Sequence, residues 1–94
     1  MRISLHERNV LVDAVCKRDE AAKVWLFGSR SDDTKKGGDI DIAILSQKIA
    51  RIDKMRIRRD IKDALGEQKV DIVISADGGS PFFCMAVQKG VCLN

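Results

Sequence analysis

Apolar residues return along this chain at two different intervals, and each change of interval marks a new element. Ser4 followed by Glu7 has the spacing of a capping box, so a helix is predicted to begin near Leu5. At helical pitch Leu5, Leu11, Val12, Val15 and Cys16 share one face, with His6, Asp13 and Lys17 opposite. Lys23 to Phe27 is short, apolar and aromatic, and Gly28 stops it, which predicts a buried strand. Residues 30–38 are polar and rich in turn formers, and Ile40 to Leu45 is the next strand. From Ser46 to about Gln68 the pattern turns helical, with Ile57, Ile61, Ala64 and Leu65 on one face and Gly66 as a stop signal. Val70 to Ile74 is a third strand, and Asp77-Gly78-Gly79 is a turn. Ser80-Pro81 supplies the N-cap and first position of a last helix, which Gly90 ends, and Val91-Cys92-Leu93 can add an edge strand.

The predicted order is α, β, β, α, β, α and a final short β. This is an α+β fold, a two-layer α/β arrangement in which helices flank a small mixed sheet of three to four strands. With 94 residues the expectation is a single domain, residues 1–94, with one core. The chain is 45% apolar and 33% charged, which excludes disorder as the main state. No apolar run is long enough for a membrane span, and the N-terminus lacks the continuous apolar region of a signal peptide. Cys16, Cys84 and Cys92 have neither zinc spacing nor a disulfide pattern, so they are expected to be reduced, mostly buried thiols in a cytoplasmic protein. A lone His6 cannot build a histidine-rich metal site and is expected at the surface. The net charge of +3 suits a protein that meets phosphates or an acidic partner.

The unusual feature is acid inside strands, where aspartate is depleted. Asp39 and Asp41 alternate with Ile40, Ile42 and Ile44, so the two carboxylates point to one side while the isoleucines enter the core. If the strand from Val70 lies alongside, Asp71 joins the same side. Carboxylates held that close raise one another's pKa, and a divalent cation relieves the repulsion. An all-oxygen ligand set favours a hard ion, Mg²⁺ or Mn²⁺, over zinc. Upstream, Gly28 allows a sharp turn, Ser29 offers a hydroxyl and an amide to phosphate oxygens, and Arg30 adds a fixed positive charge.

An apolar strand, Gly28-Ser29, nine intervening residues, Asp39-Ile40-Asp41-Ile42 and then Val70-Asp71-Ile72 together resemble the signature of the nucleotidyltransferase superfamily related to DNA polymerase β. The match covers about residues 23–75, and its element order suits nearly the whole chain. The subset it resembles most is the minimal nucleotidyltransferases, which are often encoded beside a helical HEPN-domain protein. In some such pairs the HEPN member is a toxin RNase and the nucleotidyltransferase its antitoxin. The resemblance implies the polymerase β palm-like fold. It also implies that Gly28 and Ser29, with Arg30, hold the triphosphate, and that Asp39, Asp41 and Asp71 are catalytic and bind two Mg²⁺ (or Mn²⁺) ions. Asp71 would also activate the attacking hydroxyl. Asp32-Asp33 departs from the family, where a small residue is followed by glycine near this place.

The activity so implied is transfer of a nucleoside monophosphate, AMP from ATP, to a hydroxyl of a HEPN partner protein or of an RNA. A non-catalytic module that neutralises a HEPN partner by contact is the alternative. A small nucleic-acid-binding protein carries little weight, because the basic residues interleave with Asp53, Asp60 and Asp63 and aromatics are scarce. Arg51, Arg58, Arg59 and Lys62 form either a solvated flank or a docking surface for an acidic partner or RNA. Ile52 and Met55 fall off the apolar stripe, so either the helix starts later or they belong to a second contact surface. Trp25, Phe82, Phe83, Ala86 and Val87 are assigned to the core. Homo- or hetero-oligomers are both compatible with the chain, and no membrane partner is expected.

Overall fold

Alternation along three strands decides how this chain is layered. The computed structural model describes residues 3–28 and 39–94. Its elements are α1 (Leu5–Cys16), β1 (Lys23–Phe27), β2 (Ile40–Leu45), α2 (Asp53–Leu65), β3 (Val70–Ser75), α3 (Pro81–Lys89) and β4 (Val91–Cys92). The sheet order is β3-β2-β1-β4. β1 runs antiparallel to both β2 and β4, whereas β2 and β3 are parallel and joined by α2. This is the α+β arrangement that the sequence predicts, a mixed sheet with helices against it.

One side of the strands carries Val24 and Leu26 from β1, Ile40, Ile42 and Ile44 from β2, and Val70 and Ile72 from β3. These residues form one cluster with Leu11, Ala14 and Val15 of α1 and Ile57 and Ile61 of α2. The other side carries Trp25, Phe27, Ala43, Leu45 and Val73, which pack on Phe83 and Ala86 of α3. Trp25 meets Phe83 edge to face, with ring centroids 5.7 Å apart.

Local signals account for the element ends. Ser4 Oγ accepts from the Glu7 amide and Glu7 returns the bond, completing the capping box. Gly66, with φ +86°, ends α2 in a conformation that side-chain-bearing residues rarely adopt. Ser80 and Pro81 start α3 as predicted.

Five expectations are corrected. α2 begins at Asp53 rather than Ser46, because side chains satisfy the backbone before the helix can. The Ser46 hydroxyl accepts from the amides of Lys48 and Ile49, and Asp53 accepts from the Ala50 amide. Leu5 is 74% exposed, and Leu11, Ala14 and Val15 are the residues by which α1 enters the core. Ala64 is likewise exposed near the end of α2. Phe82, at 52%, meets Phe27 edge to face yet stays largely exposed, while its neighbour Phe83 takes the core position. Cys84 and Cys92 are exposed and Cys16 is half-buried, so the thiols are free but not mostly buried. Among the described residues no helix is long and apolar enough to cross a membrane.

Three polar ties bind the layers. Asp19 is buried, accepting the Ser46 hydroxyl at 2.6 Å and the Ala21 amide at 3.0 Å. The Ser46 bond holds the Asp19 carboxyl below its usual range. Arg18, just past α1, ties that helix to α2 through an ion pair with Asp60 at 3.0 Å. Beside that guanidinium the Asp60 carboxyl is also held low. Finally Leu93 and Asn94 latch onto β1: the Leu93 amide donates to Val24 O at 2.8 Å and the Val24 amide donates to Asn94 Oδ1 at 2.9 Å.

Ile44 is fully buried at the middle of this arrangement. Ile44→Ala is expected to lower unfolding free energy by about 2–5 kcal/mol, read as a lower urea midpoint with an unchanged m-value.

Candidate functional site

The pairing of β2 with β3 puts two carboxylates side by side. Asp41 and Asp71 are register partners, on the side of the sheet opposite the isoleucine cluster. Asp39 shares their parity one residue before β2, where it is exposed. The residue facing Asp41 from β1 is Phe27, whose ring meets Phe82 at 6.4 Å. Asp41 thus stands half-buried between an aromatic and an acid.

The electrostatics follow from that position. Burial pushes the Asp41 carboxyl up, and the charge of Asp71, a hydrogen bond shared with Asp71 and the charge of Asp39 push the same way. Lys69, just before β3, opposes them. Sequence reasoning missed Lys69, although a lysine two residues ahead of an in-strand aspartate was a signal of a local counter-charge.

Gly28 completes the described part of the site. It has φ +75°, and a Cβ built there would run into the Asp41 carboxylate. Both observations exclude larger residues: the backbone needs glycine, and the space belongs to Asp41. Ser29 and Arg30, the other predicted phosphate-binding residues, lie outside the described residues. A cleft of about 550 Å³ lined by Asp19, Lys23, Ser46, Lys48 and Asp77 opens at the opposite end of the strands, so it is separate from this acidic group.

The donors are all oxygen, which suits a hard divalent cation, and the lack of a side chain at Gly28 gives the Asp41 carboxylate its room. Asp41 and Asp71 fit such an ion as a pair. Among the described residues no group of three His, Cys, Asp or Glu side chains is set to hold a metal ion. Asp39 is close enough for its charge to act on Asp41 without forming a closed triad.

Residues 9–94 match the family model described as polymerase beta, nucleotidyltransferase. Two solved structures share the fold. One is a crystal structure of a toxin–antitoxin MntA–HpeT mutant, with TM-score 0.72 and 23% identity, covering 93% of this chain and 71% of that one. The other is a tri-AMPylated Shewanella oneidensis HEPN toxin in complex with MNT antitoxin, with TM-score 0.68 and 25% identity, covering 94% and 69%. No curated protein sequence matches the chain.

Two outcomes test this geometry. A raised folded-state pKa means that ionised Asp41 opposes folding: its favourable contribution is complete below the ordinary carboxylate value and is lost as pH rises through the folded value. Asp41→Asn is therefore expected to raise Tm at pH 7 in EDTA, with the difference vanishing in acid. Gly28→Ala is expected to cost about 1–3 kcal/mol through its positive φ, measured by urea unfolding.

Proposed function

This chain belongs to the polymerase beta nucleotidyltransferase family, and we propose that it transfers AMP from ATP to a hydroxyl of a HEPN-type toxin and so acts as its antitoxin. An RNA end is the second acceptor that this chemistry accommodates. The observation that carries the proposal is the register pair Asp41 and Asp71, with the Asp41 carboxylate packed against the Cα of Gly28.

Asp39, Asp41 and Asp71 would hold two Mg²⁺ or Mn²⁺ ions with a nucleoside triphosphate. Bound there, such ions supply neutralisation of phosphate charge and acidification of the acceptor hydroxyl. The chain's residues then do the positioning. Gly28 lets the backbone come close to the phosphates, with Ser29 and Arg30 donating to their oxygens. Asp71 orients the acceptor hydroxyl and takes its proton as the oxygen attacks the α-phosphate in line, with pyrophosphate leaving. Phe27 and the partial burial of Asp41 limit water on that carboxylate, where charge interactions are stronger than in bulk solvent, while Asp71 is exposed to the incoming acceptor.

The link to a HEPN partner is supported by the two structural neighbours, one a toxin–antitoxin assembly and one containing an AMPylated HEPN toxin. A contact-only antitoxin is the second reading, and one observation favours it: no closed three-carboxylate group stands among the described residues.

One experiment separates them. The chain is incubated with Mg²⁺, α-labelled ATP, CTP, GTP or UTP, and the product of the neighbouring gene as the candidate HEPN protein, beside an Asp39→Asn/Asp41→Asn variant. Label is expected on the HEPN protein from ATP with the wild type, falling to the no-enzyme background with the variant. A stable complex that takes no label from any nucleotide, and a variant that still neutralises the toxin, would establish the contact-only reading instead.

A further inference from the structure

We propose that the outer edge of β3 takes an extended, acidic segment of a partner protein as a fifth strand. β3 is a terminal strand of the sheet, and among the described residues it pairs only with β2. The Ile40 amide donates to Lys69 O and the Ser46 amide to Ser75 O. In a parallel ladder this parity turns the main chain of residues 69, 71, 73 and 75 toward β2 and that of 70, 72 and 74 outward. Arg58 Nε occupies Val70 O at 2.9 Å. Ile72 and Ile74 therefore present their amides and carbonyls along the free edge.

Edges in folded proteins are blunted by proline, by lysine in the strand, by bulges or by brevity. The opposite edge, β4, is blunted by brevity, having two residues. β3 has six, Val70–Ser75, with neither proline nor lysine, and its one charge, Asp71, belongs to the acidic face of the sheet. Along this edge lies a cleft of about 310 Å³ lined by Arg51, Lys54, Ile72, Val73 and Ile74. It has the form that strand addition uses: main-chain partners in a row, with side-chain space beside them.

Charge selects the occupant. Arg51 and Lys54 stand over the cleft, and Asp53 between them is engaged with the Ala50 amide. A second copy pairing edge to edge would bring the two Arg51–Lys54 sets toward each other, a like-charge arrangement that opposes association. An extended segment with glutamates or aspartates flanking alternating β-formers gains both the ladder and the ion pairs. This surface is independent of the acidic site, so its test needs no nucleotide and stands or falls separately from the transfer reaction.

The probe is a synthetic octapeptide with a Thr-Val-Thr-Val centre and two glutamates at each end, titrated to millimolar concentration into the ¹⁵N-labelled full chain. The Ile72 and Ile74 amide resonances are expected to move together and to gain hydrogen-exchange protection. Binding is expected to weaken by roughly tenfold or more when lysines replace the glutamates, when proline replaces a central valine, or in Arg51→Glu/Lys54→Glu, whose melting curve confirms folding. No response at Ile72 and Ile74, or equal binding of the lysine peptide, overturns the proposal. Concentration-dependent dimerisation that protects the same amides without peptide would assign the edge to a second copy. An oligoribonucleotide that binds at Arg51 and Lys54 and displaces the peptide while leaving Ile72 and Ile74 unprotected would assign the basic surface to RNA. Either result overturns it too.

Discussion

The parallel register between β2 and β3 is the constraint on which both the core and the acidic site depend. Side chains alternate along a strand, so one choice of register seats Ile40, Ile42 and Ile44 beside Val70, Ile72 and Ile74 and simultaneously sets Asp41 beside Asp71. A slip of one residue would drive the aspartates into the side covered by α1 and α2 and turn the isoleucines out of that core. Hydrophobic burial thus enforces an arrangement of two like charges that the charges themselves oppose. The site is held by the core rather than by its own interactions.

That cost is met away from the site. Ionised Asp41 works against folding, whereas Asp19 and Asp60 work for it, each held below its ordinary range by Ser46 and Arg18 respectively. The signs are opposite. The contributions of Asp19 and Asp60 are present above the ordinary carboxylate value and lost as pH falls through their lower folded values; that of Asp41 is lost as pH rises. Asp19 lies at the far end of β2 from Asp41, because Ser46 directly follows the strand. One strand therefore has a satisfied carboxylate at its exit and a crowded one at its entrance, a distribution expected where local stability is traded for chemistry.

Most of this architecture was legible in residue order. The alternation of Asp39, Ile40, Asp41 and Ile42 gave both the strand and the side to which its acids point, because a period of two leaves no other choice. Gly28, Gly66 and Ser80-Pro81 marked element ends through backbone chemistry that needs no tertiary context. The late start of α2 was half legible: Ile52 and Met55 off the apolar stripe left it open, and the bonds from the Lys48, Ile49 and Ala50 amides to Ser46 and Asp53 decide it. The choice between Phe82 and Phe83 was not legible: both suit a helix stripe, and only the position of Trp25 decides which ring is buried. At the site, strand parity foretold that Asp71 would stand beside Asp41, whereas Asp39 lies one residue before β2 and the three form no closed group among the described residues. The steric contest between Gly28 and Asp41 appeared only once β1 and β2 were in register.

The same parity that places the acids also determines what the edge of the sheet can do. Residues 71 and 73 spend their main-chain groups on β2, while 72 and 74, whose side chains join the isoleucine layer, spend theirs on nothing in the described structure. β3 therefore carries three separate duties on one six-residue segment: side chains of one parity fill the core, a side chain of the other supplies an acid, and the outward main chain is left for association. An edge strand is ordered by its core-facing side chains before any partner arrives. A partner segment pairing there would lose its own chain entropy but impose little new ordering on this protein, which is the condition under which a short linear segment can bind with useful affinity.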